Sequence, residues 1–421
     1  MRRILRLTMI STLLACTAVL SAAPRSVILI LCNGANLAQL ELAKRAGVNR
    51  AGLSNTAALP VAGTLLPLTG RFRSPRIAAL NALASGYAGD SALGVTPGGD
   101  EVDSLLGEAR HQGRRTGFIT DGALNDWSGG AFFARENPLP PLDRLDAWLP
   151  LSDIDLLAGA LVRSKPAALE PLETPMSRLG YQLARNPEEL RAAFAGRRLF
   201  ATHDPAADSS ALLAYMDAAL RVLPGEAGML LVADCTRPGR AAAVNDTAGV
   251  IRELWRFDRV LGRALDFFKA DPDHTLVVVV SLYDIGDLQL PRPIAGDFPV
   301  GLTRPEMLVR LAPGRLTGKQ ALELAGAGEL FAPGSRELAS VLDGYARLVN
   351  SPLPRAFAPW LDRLLHLRDR HAGVEWLTRT VTISLTPVFA IGAGAKEYEG
   401  EYNALDLHEK LRRSLGINTR P

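Results

Sequence analysis

Three stretches of this chain are apolar without interruption and stop abruptly at polar residues. Ser26 to Leu31 runs into Cys32-Asn33-Gly34, residues 228–233 into Asp234-Cys235, and residues 276–280 into Ser281-Leu282-Tyr283-Asp284. A run with no polar alternation has both faces covered, so each predicts a central strand of a parallel sheet. Elsewhere the period turns helical. Ile251, Leu254, Leu261, Leu265 and Phe268 predict a long helix over residues 247–269. Shorter helices are expected over 38–46 and 102–112, the second stopped by Gly113. Asn186-Pro187-Glu188-Glu189 reads as a helix start, with a capping amide, Pro in the first position and acids in the first turn, and Gly196 as the stop. Asp208 is the expected cap of a helix over 209–223. Further strands are expected at 116–120, 154–157, 199–201 and 386–391, and a closing helix at 404–415. Residues 47–88 show no clear period beyond the first helix and read as a looser segment, and 138–150 as a Pro-rich connection.

Strands alternating with helices are βαβ units, which places the chain in the α/β class with a central, mostly parallel sheet. Ligand sites in such sheets lie at the carboxyl ends of the strands. The polar residues at those ends are therefore the candidates: Asn33, the loop with Asp126 and Ser128, Asp234, and Tyr283-Asp284, with Asp90-Ser91 as a further one. Residues 288–373 change character to Pro-punctuated helical segments and read as an inserted cap. The α/β core is then 24–287 plus 374–421.

The chain has 421 residues and a net charge of +3, with basic residues scattered, so no nucleic-acid partner is implied. Residues 1–23 form a secretory leader: Arg2, Arg3 and Arg6, an apolar stretch, then Ser21-Ala22-Ala23 with cleavage near Ala22. A lipid on Cys16 is the alternative ending to that segment. No other stretch is long and apolar enough to span a membrane. The mature chain is expected to be exported, periplasmic or extracellular, and keeps two cysteines, Cys32 and Cys235.

The order of these segments resembles the alkaline phosphatase family over nearly the whole mature chain. SVILILCNGANLAQ (26–39) looks like its first strand and metal loop, and GDSALGVT (89–96) like its nucleophile segment. TGFITDGALNDWSGGAFFAR (116–135) looks like a metal-binding loop, and GMLLVADCTRPGRAAAVNDTAG (228–249) like the segment from a metal-binding acid into the long helix. TLVVVVSLYDIG (275–286) looks like its Asp-His strand end. The resemblance implies a three-layer sandwich with a central, mostly parallel sheet and an inserted helical cap. It makes a homodimer an expectation. It also implies a chemistry in which a serine attacks phosphorus while two zinc ions activate it, with magnesium in a third site.

Carried over residue by residue, that chemistry is largely missing. Ser91 falls on the nucleophile, preceded by Asp90. The aspartate that should bridge two metals is Asn33, and a neutral amide bridges two dications poorly. Metal-binding Asp and His positions fall on Gly239 and Ala243, the Asp-His pair on Tyr283 and Asp284, and the last histidine on Val381. The phosphate-binding arginine falls near Leu139, with Arg135 and Arg144 as substitutes. A zinc pair is therefore not expected. Asp234, Ser128 and Asn33, with Asp126 behind them, offer hard oxygens for one magnesium or calcium ion; Asp284 is a weaker candidate. The alternative is a polar cluster hydrogen-bonded within itself. Ser91 has an alternative as a helix cap. Because Cys32 adjoins Asn33 and Cys235 adjoins Asp234, the resemblance suggests a disulfide between the two loops; two separate buried thiols are the alternative. Two functions follow. One is a pseudoenzyme whose old cleft binds a small anion, a ligand or a protein partner. The other is a slow metal-dependent phosphoric monoester or diester hydrolase using Ser91.

Overall fold

A computed structural model describes residues 23–46, 53–161, 171–203, 211–290, 369 and 374–417. The expected leader with Cys16, the cap at Asp208, His366, His371 and nearly all of the expected insert lie outside the described residues.

Fourteen strands are described: β1 Ser26–Leu31, β2 Val61–Leu65, β3 Arg115–Ala123, β4 Leu156–Ala160, β5 Gln182–Ala184, β6 Leu199–His203, β7 Met229–Asp234, β8 Thr275–Val280, β9 Asp284–Ile285, β10 Leu288–Gln289, β11 Glu375–Trp376, β12 Val381–Thr382, β13 Thr386–Gly392 and β14 Gly400–Tyr402. Ten of them form one sheet in the order β14-β2-β13-β8-β1-β7-β3-β4-β6-β5. Only β13 runs against its neighbours β2 and β8; every other pairing in this sheet is parallel.

The uninterrupted apolar runs have a direct cause. In β1, Ile28 and Ile30 enter one core while Val27, Leu29 and Leu31 enter another on the opposite face. Strands β7 and β8 divide in the same way: Leu231 and Val277 lie on the first face, Leu230 and Val278 on the second. Helices Leu37–Arg45, Ala211–Val222 and Thr247–Ala270 cover the first face. Helices Pro75–Ser85, Leu105–His111 and Ala404–Ser414 cover the second. This is a three-layer α/β sandwich. Burying a large aliphatic side chain contributes roughly 1.5–3 kcal/mol, so the two-sided core supplies most of the drive to fold.

Most expected elements are present, with shifted ends. The 154–157 strand is β4, two residues further on, because Ile154 and Asp155 still belong to the preceding turn. The helix capped by Asn186 ends at Ala192 rather than near Gly196. The Pro-rich connection contains a 3-10 helix, Leu142–Trp148. The main correction is in the segment read as loose: Pro75–Ser85 is a helix, and every residue from Ile77 to Ser85 is buried. The short strands β10 and β11 pair antiparallel, Leu288 against Trp376. Among the described residues no helix is long and apolar enough to cross a membrane.

Candidate active-site cleft

Strands β8, β1, β7 and β3 are consecutive in the sheet, and their carboxyl ends open into one cleft enclosing about 470 Å³. Its lining includes Asn33 after β1, Asp234 at the end of β7, Asp126 and Ser128 after β3, and Tyr283 after β8. The structure thus brings together four of the residues singled out as metal ligands. It adds several that sequence reasoning did not name: Arg76, Thr236 and Arg240.

Asp234 is the floor. It is 1 % exposed, because its strand lies between β1 and β3 with Leu31 and Thr120 as register partners. Ser128 Oγ donates to Asp234 Oδ2 at 2.5 Å, while Oδ1 has no partner among the described residues. Burial raises the Asp234 carboxyl to about 7; the Ser128 hydrogen bond and the Arg76 charge oppose the shift, and Asp121 and Asp126 add to it. Asp126 caps the helix Trp127–Phe133: its Oδ1 accepts from Trp127 N at 2.7 Å. Its Oδ2 faces Arg76 Nη2 at 3.4 Å. Arg76 is the second residue of the helix Pro75–Ser85, and its Nε is buried without a partner. Tyr283 first, then Asp126 and Asp234, raise the pKa of its guanidinium against the opposing effect of burial.

Asn33 is turned the wrong way to ligate a cation. Its Oδ1 accepts from Leu282 N at 2.9 Å, so the amide nitrogen is the group left for the cleft. Beside it two glycines meet. Gly34 has φ +89°, and a Cβ there would lie 2.4 Å from Gly239 Cα; a Cβ on Gly239 would lie 2.6 Å from Asn33 O. No acid fits at 239 without moving the first-strand loop. Asp284 is buried, but its Oδ2 accepts from Thr382 Oγ1 at 2.7 Å and Asp287 N at 3.1 Å. It is not among the residues that line the cleft.

Asp90 and Ser91 lie outside the cleft lining. Ser91 is exposed in the loop after the helix Pro75–Ser85 and begins no helix, so it is not a cap. Asp90 Oδ2 accepts from Ser74 N at 2.7 Å, and Asn81 Nδ2 donates to Gly89 O and Ala92 O, both at 2.7 Å. The loop is therefore bound back onto the helix that presents Arg76. Neither substitute arginine reaches in: Arg135 pairs with Asp103 at 2.5 Å and Arg144 with Glu136 at 2.7 Å. The four described histidines are also elsewhere. His111 pairs with Asp103, His203 with Tyr215 and His274 with Asp271, and His408 is buried against Leu83 O.

The disulfide expectation is corrected. Cys32 and Cys235 are both free and buried on the first face of the sheet. Burial, then Asp121 and Asp234, pushes the Cys32 thiol well up, which leaves it inert.

The fold has counterparts among solved structures. A cold-active alkaline phosphatase from Shewanella sp. superposes with a TM-score of 0.76, covering 94 % of this chain and 100 % of that one at 18 % identity. The alkaline phosphatase of Thermus thermophilus gives 0.73 over 94 % and 92 % of the two chains, and that of the Antarctic bacterium TAB5 gives 0.67 over 94 % and 100 %, both at 18 % identity. The chain has the alkaline phosphatase fold. In sequence, alkaline phosphatase 4 of Bacillus subtilis is 26 % identical over 225 residues, 50 % of this chain; the match spans about half of that relative, 49 %. No protein-family model matches the chain.

A variant of the TAB5 alkaline phosphatase carries magnesium in a site called M3. The cleft residues of this chain do not fit such an ion. The Asn33 oxygen is taken by a backbone N–H, one Asp126 oxygen caps a helix and the other faces a guanidinium, and Ser128 points its proton at Asp234. Among the described residues no three His, Cys, Asp or Glu side chains converge as metal ligands. The unpartnered Asp234 Oδ1 alone is too little for a cation that wants six oxygens or more.

Proposed function

We propose that this chain is a non-hydrolytic, exported protein of the alkaline phosphatase fold whose cleft binds a small oxyanion of the phosphate class. The observation that carries this reading is the position of Arg76: the positive charge in the cleft is a side chain, on the helix start that faces the acids. Arg240 lines the same cleft, is exposed, and makes no ion pair among the described residues. Two guanidinium groups and the Asn33 amide present donors, and planar guanidinium forks match tetrahedral oxyanions. Hydrolysis would need an activated nucleophile. Ser128 is the one serine in the lining; it is 3 % exposed and its hydroxyl proton is held by Asp234. Ser91 is exposed and outside the cleft lining, and Asp90 beside it in sequence is bound to Ser74 N.

The test has two arms. p-Nitrophenyl phosphate should stay intact with magnesium, calcium, zinc or manganese added in turn, while calorimetry with inorganic phosphate should show binding that weakens in Arg240→Ala. Metal-dependent release of p-nitrophenol, lost in Ser91→Ala, would establish the hydrolase reading in its place.

A further inference from the structure

We infer that Arg76 is a built-in replacement for a divalent cation: its guanidinium does for Asp126 and Asp234 what a bound ion does elsewhere, and its presence excludes that ion. The inference rests on the reading above only in taking the wild-type cleft to hold no resident metal.

Two unmet groups share this cleft. Asp234 Oδ1 is a buried acceptor with no donor, and Arg76 Nε is a buried donor with no acceptor. Each is coupled to the other's charge, and both face Asp126. Two carboxylates converging at the floor of a sheet repel unless a cation lies between them. A divalent ion would answer that need with oxygen ligands, but Asn33 Oδ1 and Asp126 Oδ1 are committed to backbone N–H groups and Asp234 Oδ2 to Ser128, which leaves Asp234 Oδ1 and, once Arg76 is removed, Asp126 Oδ2. Arg76 answers it with one charge and a donor fork. The arginine is held in place by construction. Pro75 fixes the first position of its helix, Asp90 anchors Ser74 N just before it, and the rest of the helix is buried. A basic residue in the first turn opposes the helix dipole. Its placement there is explained by the acids it faces, not by the helix it belongs to.

The inference predicts that removing Arg76 creates a metal requirement. Wild type, Arg76→Ala and Arg76→Lys are melted in EDTA and in magnesium or calcium chloride, and manganese binding is followed by electron paramagnetic resonance. Wild type and Arg76→Lys should melt at the same temperature with or without metal. Arg76→Ala should melt lower in EDTA, recover in magnesium or calcium, and bind manganese roughly tenfold or more tighter than wild type, since a fixed like charge a few ångström away has gone. If Arg76→Ala does not fold, Arg76→Gln, which removes the charge but keeps a polar side chain of intermediate length, carries the same comparison. An uncharged variant no more metal-sensitive than wild type overturns the inference and leaves the metal-free reading intact. A wild type that itself gains stability from magnesium overturns both.

Discussion

Replacing Asp234 by asparagine separates the energy of its charge from the shape of its side chain. The carboxyl is fully enclosed, and its folded value of about 7 lies well above the ordinary 3.8. Below pH 3.8 it is protonated in both states and adds nothing; above 7 it is ionised in both, and the folded state bears the whole burial penalty. The folded form therefore binds the proton more tightly, and stability falls as pH rises between those limits. At 1.36 kcal/mol per unit the full penalty is about 4 kcal/mol, of which about 2–3 kcal/mol develops between pH 5 and pH 8. Asparagine keeps an oxygen for Ser128 Oγ and carries no charge. Urea denaturation at a series of pH values should show Asp234→Asn losing that slope and exceeding wild type in stability at pH 8. A variant less stable than wild type at pH 8, with the slope unchanged, would mean that the carboxylate is compensated by a cation the account leaves out.

Gly239→Asp should destabilise by about 1–3 kcal/mol, because its Cβ would meet the Asn33 carbonyl, and elemental analysis should find no zinc gained by it. Ser91→Ala should leave phosphate affinity unchanged and stability within about 0.5 kcal/mol, as expected of an exposed loop residue. Asp258→Ala should lower stability by about 2–4 kcal/mol in urea: this buried carboxylate accepts from Thr56 N at 2.8 Å, Thr56 Oγ1 at 2.7 Å and Asn55 N at 3.2 Å, all of which lose their acceptor. Alkylation in denaturant without reductant should label both Cys32 and Cys235; peptides found joined would contradict the free thiols of the structure.

The central strands were legible because burial on both faces leaves polar residues only at their ends, and β1, β7 and β8 are such strands. The long helix Thr247–Ala270 was legible for the opposite reason, an apolar stripe set against a polar face. The helix Pro75–Ser85 fell between these cases. From Ile77 on it is buried all round, so it has no polar face and no period to read. Its punctuation was nonetheless present: Ser74-Pro75 as the start, and Gly86, at φ 75°, as the stop. Missing that helix meant missing Arg76. The letters Asp90-Ser91 drew attention to a loop whose carboxylate in fact anchors Ser74 N.

Asp234 at a strand end and Ser128 in the segment after one were candidates from position, since strand ends are where ligand sites form, and both line the cleft. Their chemistry was harder to read. An asparagine offers an oxygen or an N–H, and only the Leu282 N–H decides which group remains for the cleft. The disulfide expectation came from the resemblance, which sets the loops of Cys32 and Cys235 side by side; the Leu31–Asp234 register does put the strand ends together, but nearness of two backbones does not make a bond between their sulfurs.

Elemental analysis of the purified wild-type protein, after dialysis against metal-free buffer and again after exposure to zinc and magnesium, tests the central claim most directly. The account predicts that both metals stay well below one ion per chain in either preparation, because a guanidinium occupies the cleft and, among the described residues, Asp234 Oδ1 is the one carboxylate oxygen in its lining left unengaged. Zinc or magnesium retained in whole-number ratio to the chain would contradict it.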